Sequence, residues 1–299
     1  MKKIVGVGAC VLDTLIEMDE YPKEDIKIRA NNVFSSGGGP ASNALVCIAK
    51  LGLKAEYLGL LSNDESGKRL VSEFKEYGVG VKNIELVDDT KAFTSFIILS
   101  KKEGTRTCIF DKGNVPDDPD LLDYSTIQDA DVLHLDGNYL NIAERAIKEA
   151  KKYGKLVSLD AGSPYPGIDR IMPYIDILIP SEDFALRFTK KNTIQEAIRE
   201  LEHRYHPEVL VVTQGSRGGM FLENGRIFKY DAYDVDCVDS NGAGDTFHGA
   251  FLVSYLDGKS VRDSVAFASA TSAIKCTKAG LRMALPNKSE VESFLKTRS

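Results

Sequence analysis

Asp239-Ser240-Asn241-Gly242-Ala243-Gly244-Asp245-Thr246-Phe247 is the segment whose residue types and spacing come nearest to chemistry. Tyr230 to Val238 before it has a strand-like pattern, and Phe247 to Leu256 after it reads as a helix in which Gly249 and Ala250 permit close packing. A Gly-Ala-Gly turn therefore opens a helix. First-turn N–H groups have no partner within a helix. Glycines let that backbone approach a ligand, and the free N–H groups with the helix dipole attract a phosphate. Asp245 falls in the same first turn, where the helix terminus favours its charged form. Phosphoryl transfer requires positioning, charge neutralisation and a group that accepts the hydroxyl proton. The motif offers N–H groups for developing negative charge and a carboxylate for the proton. A plain helix start, with glycine for packing and Asp245 as partner of the dipole, accounts for the same residues equally well.

Two other glycine-rich segments bear on this choice. Gly37-Gly38-Gly39-Pro40-Ala41-Ser42-Asn43 leads into a helical pattern over Ala41–Leu51, so Asn43 projects from a first turn. Three glycines let a ligand lie against backbone, and the Asn43 amide offers both a donor and an acceptor, which suits a sugar hydroxyl. A flexible turn before a helix is the competing reading. In Val211-Val212-Thr213-Gln214-Gly215-Ser216-Arg217-Gly218-Gly219 a buried strand ends at a glycine-rich turn. Ligands of open α/β sheets collect beyond the carboxyl ends of strands, so this turn suits a nucleotide. Other motifs fail. Gly6-x-Gly8 lacks a third glycine and a following helix, and Ser66-Gly67-Lys68-Arg69 lacks the first glycine and the Ser/Thr of a Walker loop. His134, His203, His206 and His248 form no HExxH pair, and His203 with His206 reads as an exposed helix end. Neither a GxSxG elbow nor a protein-kinase motif set is present.

These segments need elements to hold them. Short runs rich in Val, Ile and Leu predict buried strands at Ile4–Gly8, Ala55–Leu61, Val132–Asp136, Leu156–Asp160, Ile177–Ile179 and Val209–Thr213. Helical patterns cover Ala41–Leu51, Lys68–Tyr77, Ile142–Tyr153, Ile194–Tyr205, Gly244–Leu256 and Val261–Lys275. Strands alternating with helices imply a parallel sheet covered on both faces. Residues about 11–35 and 92–112 break the rhythm and read as strands without helices, a small separate sheet. Thr94, Phe96 and Ile98 with Thr105, Thr107 and Ile109 predict a hairpin turned at Glu103-Gly104, and Asn224-Gly225 predicts a second tight hairpin.

Composition narrows the partners. The 299 residues carry a net charge of −6 with no Lys/Arg cluster interleaved with aromatics, which argues against nucleic acid and acidic membrane surfaces. Cys10, Cys47, Cys108, Cys237 and Cys276 are an odd number, far apart, without a CxxC pair. A disulfide framework or zinc site is not expected, and a reducing cytoplasm fits. Too few residues separate Lys3 from Cys10 for a signal-peptide core, so Ile4–Gly8 is expected as an opening strand. No apolar stretch approaches the ~20 residues of a membrane span.

Gly38-Gly39-x-x-x-Asn43-x-Leu45 and Asp239-Ser240-x-Gly242-Ala243-Gly244-Asp245, in this order and separation, resemble the two signature motifs of the PfkB (ribokinase-like) carbohydrate kinases. The resemblance covers nearly the whole chain. Gly8-x-x-Val11-Leu12-Asp13, Tyr21-Pro22-Lys23-Glu24-Asp25, Gly104-Thr105-Arg106-Thr107 and Lys275-Cys276 are most similar to the ketohexokinase branch. The resemblance implies one domain over residues 1–299, a three-layer α/β/α sandwich with a mostly parallel central sheet, plus a discontinuous β-sheet lid from about 11–35 and 92–112. It implies transfer of the ATP γ-phosphate to a primary hydroxyl of a small sugar, with Mg²⁺ accompanying the nucleotide. Asp245 would be the base, and Gly242, Ala243 and Gly244 the anion hole. Asp13, Gly38, Gly39, Asn43, Arg106 and Asp136 would bind sugar. Thr213, Gly215, Ser216, Gly218, Gly242, Gly244 and Cys276 would border nucleotide, and Asp239 would help bind a monovalent cation, K⁺. Lids in this family often pair, which implies a homodimer.

The chain departs from the pattern at three places. Ser240 replaces the usual Thr but keeps the hydroxyl, and Pro40 stands where the ketohexokinase branch has a side-chain donor to sugar. Ser181 and Phe184 replace the Asn and Glu of an Asn-x-x-Glu motif near metal and phosphates, leaving Glu182 or Asp183 as substitutes through water. The fork of Arg106 suits an acidic sugar. A nucleoside kinase and a non-catalytic sugar sensor are the alternatives. Few aromatics near residues 20–35 speak against the first, and the intact Gly-Ala-Gly-Asp against the second.

Overall fold

In a computed structural model, residues 1–103 and 105–298 are described; Gly104, half of the expected hairpin turn, and Ser299 lie outside them. In chain order the elements are β1 (Lys3–Val7), β2 (Val11–Met18), β3 (Asn32–Gly38), α1 (Pro40–Lys50), β4 (Lys54–Ser62), α2 (Glu65–Glu76), β5 (Gly80–Val87), β6 (Thr94–Ser100), β7 (Thr105–Asp111), β8 (Val132–Leu135), α3 (Leu140–Lys152), β9 (Leu156–Ala161), β10 (Ile177–Pro180), α4 (Glu182–Thr189), α5 (Ile194–Tyr205), β11 (Val209–Thr213), β12 (Gly219–Glu223), β13 (Arg226–Tyr230), α6 (Ala243–Leu256), α7 (Val261–Cys276) and α8 (Lys288–Lys296).

The large sheet runs β13-β12-β11-β10-β9-β8-β1-β4-β5, parallel from β5 to β11 and antiparallel at the β11-β12-β13 edge. Its central strands are apolar on both faces because each face is covered by helices. Successive residues go to opposite cores. Ile4, Ile177, Val209 and Val211 pack with Leu45, Phe74, Phe251 and Val265 from α1, α2, α6 and α7. Val5, Leu178, Leu210 and Val212 pack with Ile142, Phe184 and Ile198 from α3, α4 and α5. All six strands expected from apolar runs are present.

Three elements escaped the sequence reading. β5 is a half-exposed strand carrying Lys82, Asn83 and Glu85, so it shows no apolar run. α4 is a short helix capped by Ser181, whose hydroxyl accepts from Phe184 N at 3.0 Å. α8 begins with a reciprocal capping box between Asn287 and Glu290, a signal that was visible in the sequence. The strand-like pattern of Tyr230 to Val238 is corrected: the strand stops at Tyr230. Val238 N and Asp239 N instead donate to Cys276 O at 2.8 and 3.1 Å, which ties this segment to the end of α7.

The second sheet has order β3-β2-β6-β7 and contains both helix-free segments. Register places Thr14, Phe96 and Ile109 side by side on one face, and Asp13, Ser95 and Phe110 on the other. The second hairpin is as expected: Glu223 pairs with Arg226 across Asn224 and Gly225, both at positive φ. His203 and His206 are exposed at the end of α5.

Candidate active site

Loops beyond the carboxyl ends of β1, β8 and β9 meet the starts of α1 and α6. Gly242, at φ 72°, caps α6 in a conformation that favours glycine, and a Cβ there would overlap Leu281. The first helical bond runs from Thr246 N to Gly242 O at 2.9 Å, so the amides of Gly242, Gly244 and Asp245 precede the ladder. Ala243 differs from its neighbours, because its N–H turns back to Ser240 O at 3.2 Å. A Cβ on Gly244 would meet nothing within 4 Å, so the helix entrance faces open space.

Asp245 lies at this entrance, half-buried. Its Oδ2 accepts from Asn43 Nδ2 at 2.7 Å. The expectation that the helix terminus favours its charged form is corrected: burial, then the charge of Asp160, push its carboxyl up to about 6, against the Asn43 hydrogen bond. Asp160, next to last in β9, pairs with the buried His248, Nε2 to Oδ1 3.2 Å. Burial alone would raise the Asp160 carboxyl, but the imidazole of His248 outweighs it and holds it low. His134 lies beside His248, with ring centroids 5.9 Å apart, and burial pushes its imidazole down to about 3.

α1 supplies the second half. Gly39, at φ 96°, precedes Pro40 at the first helical position, where a missing N–H costs nothing. Gly38 leaves room for the Asp13 carboxylate, which accepts from Ser95 Oγ at 2.5 Å. Burial raises the Asp13 carboxyl against that bond and the Arg282 charge. Arg106 reaches across from β7, donating from Nη1 to Asn241 Oδ1 at 2.5 Å. Asn43, expected to offer ligand both a donor and an acceptor, has its acceptor engaged: Arg282 Nε donates to Asn43 Oδ1 at 3.0 Å. Asp136 is likewise engaged throughout. Oδ2 accepts from Ala9 N at 2.8 Å and Ala41 N at 3.1 Å, and Oδ1 from the backbone and side chain of Asn138 at 2.9 and 3.1 Å. It fastens the β1 exit to the start of α1.

The glycine turn after β11 stands across the sheet end. Thr213 forms a bridge to Ser181, Gln214 N donates to Gly218 O at 2.8 Å, and Gly215, at φ 59°, borders open space beside Ser216. Gly218 is required because a Cβ there would overlap Tyr230 O. The two carboxylates considered as metal substitutes are paired elsewhere. Glu182 binds Arg217 and, at 3.1 Å, Gln214 Nε2; Asp183 binds Arg187 at 3.0 Å. Phe184 is buried and stacks on Phe188 at 4.9 Å. Asp239 Oδ1 accepts from Asn241 N at 2.9 Å and Oδ2 from Gly280 N at 3.1 Å. The buried Lys275 Nζ lies 2.8 Å from Asp239 O and 3.7 Å from Oδ2. Cys276 follows it, half-buried, its thiol pushed up to about 11 by burial. Arg282 and the Asp160–His248 pair were missed by sequence reasoning, and Lys275 was named only within a family motif, with no role. Nothing local distinguishes a buried Arg or Lys near a chain end from a solvated one.

The model of the pfkB family carbohydrate kinases matches residues 1–288. The chain belongs to this family. PfkB kinases are phosphotransferases acting on sugar hydroxyls, and relatives extend over the full length. A Bacillus subtilis ribokinase is 25% identical over 99% of this chain and 100% of its own length. Mouse ketohexokinase is 27% identical over 92% of this chain and 96% of its own. The structure of Arabidopsis thaliana ribokinase complexed with ribose and ATP superposes with a TM-score of 0.85 at 26% identity, covering 99% of both chains. The ketohexokinase branch is thus one of several similar branches. The two-sheet architecture is that of the PfkB fold. No described helix is long and apolar enough to cross a membrane.

Proposed function

We propose that this PfkB kinase transfers the γ-phosphate of ATP to a primary hydroxyl of a small ketose or a related neutral or acidic sugar. The observation that carries the reading is a carboxylate raised toward neutral pH, Asp245, at a glycine-built helix entrance open to ligand. Sugar lies between Asp13, Gly38, Gly39 and Asn43, with Arg106 closing from the small sheet. Asp245 takes the hydroxyl proton as the new O–P bond forms and the bond to the ADP oxygen breaks. Amides of Gly242, Gly244 and Asp245 receive the developing charge. Nucleotide lies against Thr213, Gly215, Ser216 and Gly218, near Cys276. The inner face of the small sheet presents Asp13, Ser95 and Arg106 for hydroxyl groups, with the exposed ring of Phe110 beside them, so the assay must include nucleosides. Assay of ATP turnover against neutral ketoses, pentoses, acidic sugars and nucleosides tests the reading. Tight sugar binding without turnover would favour a sensor, and turnover of nucleosides alone would replace the sugar.

Among the described residues no cluster of three or more His, Cys, Asp or Glu could hold a metal. Mg²⁺ therefore fits as a passenger of the phosphates and water, as small hard cations commonly bind. When bound it neutralises phosphate charge. A potassium ion at Asp239 would compete with the Lys275 ammonium, which already supplies a cation 3.7 Å from Oδ2. Turnover is expected to be unchanged when K⁺ is replaced by tetramethylammonium at constant ionic strength. Activation by K⁺ would refute this role for Lys275.

The outer face of the small sheet exposes Val33 (57%), Phe96 (50%) and Ile109 (55%). An uncovered apolar sheet face favours pairing with a second copy. We expect a homodimer in light scattering at micromolar concentration, and a monomer for Ile109→Lys. A monomeric parent protein would exclude the pairing.

A further inference from the structure

Arg282 lies between α7 and α8 and is 1% exposed. A buried cation is tolerated only when its charge and donors are met. Nη1 contacts Glu73 Oε1 at 3.1 Å, Nη2 donates to Ser42 Oγ at 3.0 Å and Gly38 O at 3.4 Å, and the guanidinium sits 5.3 Å from the centre of the Phe74 ring. Gly37 is the reason it fits, since a Cβ there would overlap the guanidinium. A fourth N–H, on Nε, donates to Asn43 Oδ1 at 3.0 Å.

That contact settles the orientation of an amide. Guanidinium can only donate, so the Asn43 atom facing it must be the oxygen. The nitrogen then has to point away, and it meets Asp245 Oδ2. We propose that Arg282 is a positioning residue for phosphoryl transfer: by fixing which end of the Asn43 amide faces Asp245, it keeps a hydrogen-bond donor on the base. The proposal rests on Asp245 being that base. Glu73 extends the same arrangement to the small sheet, accepting from Gly37 N at 2.7 Å and Ser36 Oγ at 3.3 Å. One buried ion pair thus joins the end of β3, the start of α1 and the base.

Without Arg282 the Asn43 amide can turn its oxygen to accept from the protonated Asp245 carboxyl. The carboxylate then loses a donor, and its protonated form gains. Asp160 and Asp136 from the strand ends, His248 from α6 itself, Lys275 from α7, Cys47 from α1 and Tyr165 from the loop after β9 also act on Asp245. The test must therefore separate amide orientation from charge.

The experiment titrates the Asp245 carboxyl by ¹³C NMR in full-length protein labelled at aspartate, with the signal assigned by its loss in Asp245→Asn. In Arg282→Met the midpoint is expected to rise by about half a unit or more, with the far-UV spectrum retained. In Arg282→Lys, whose ammonium also only donates, it is expected to stay at the parent value. In an Asn43→Ala background, Arg282→Met should add no further shift. Should burial of the uncompensated Glu73 unfold the single variant, Arg282→Met/Glu73→Gln removes both charges and keeps an acceptor for Gly37 N. A folded variant with the parental midpoint overturns the proposal. So does an equal shift with and without Asn43, which would be a charge effect alone. The titration needs no turnover, so a parent protein inactive on every sugar would overturn the kinase reading independently.

Discussion

Asp245→Asn is expected to lower sugar-dependent ATP turnover by about 10²–10⁴-fold, the usual contribution of a positioned base. Asn is nearly isosteric and retains an oxygen for the Asn43 amide donor. Fold and nucleotide binding should therefore survive, which calorimetry and a nucleotide titration would check. A variant that folds and turns over at the parental rate would remove Asp245 from the chemistry. The parent enzyme carries a second signature of the same group. Its carboxyl is held up to about 6, so kcat/KM should fall as pH drops through that value and plateau above it. The direction is fixed by the role: a base works only when unprotonated, and burial delays its ionisation. A profile with no limb between pH 5 and 7 would deny that Asp245 titrates as the free-enzyme base.

Gly242→Ala should be nearly as damaging for a different reason. At φ 72° a Cβ costs about 1–2 kcal/mol in backbone strain, and the methyl also overlaps Leu281. Relief requires the turn to move, and with it the amides that precede the α6 ladder. Loss of one aligned anion-hole donor costs about 10²–10³-fold in turnover. Gly244→Ala is the control, because a methyl there has open space at the same helix end without positive φ. Its effect on folding stability should be small, and any loss of activity should appear as competition with ligand. Equal melting and equal turnover in both variants would show that the turn's geometry is irrelevant.

These sites illustrate which information a sequence holds. Gly242 and Asp245 were legible because local rules, a glycine turn before a helix, act over a few residues. Parallel strands were legible because burial on both faces leaves uninterrupted Val, Ile and Leu. β5 was not, since a half-exposed strand mixes Glu and Lys with Ile and so loses the signal. Tyr230 to Val238 misled for the opposite reason. Its alternation is strand-like, but pairing stops at Tyr230 and the Val238 amide finds the carbonyl end of α7, a partner set by tertiary packing. Arg282 and Glu73 are 209 residues apart, and neither composition nor periodicity announces that they pair. Asp136 shows the same limit: its position after β8 was legible, but the backbone amides of Ala9 and Ala41 that it accepts from are brought to it by tertiary packing.

His134 has a consequence beyond the cleft. Its imidazole is neutral in the native protein, held to about 3 by burial, but would titrate near 6.5 in an unfolded chain. Above 6.5 the two states bind equal protons at this site, so it leaves the folding equilibrium untouched; below it, acidification favours the unfolded chain until the native value is reached. Acidification thus draws on conformational stability over a range that overlaps loss of the base. A brief acid exposure that protonates Asp245 should be fully reversible, whereas a long one should inactivate through the slow escape of molecules that have unfolded.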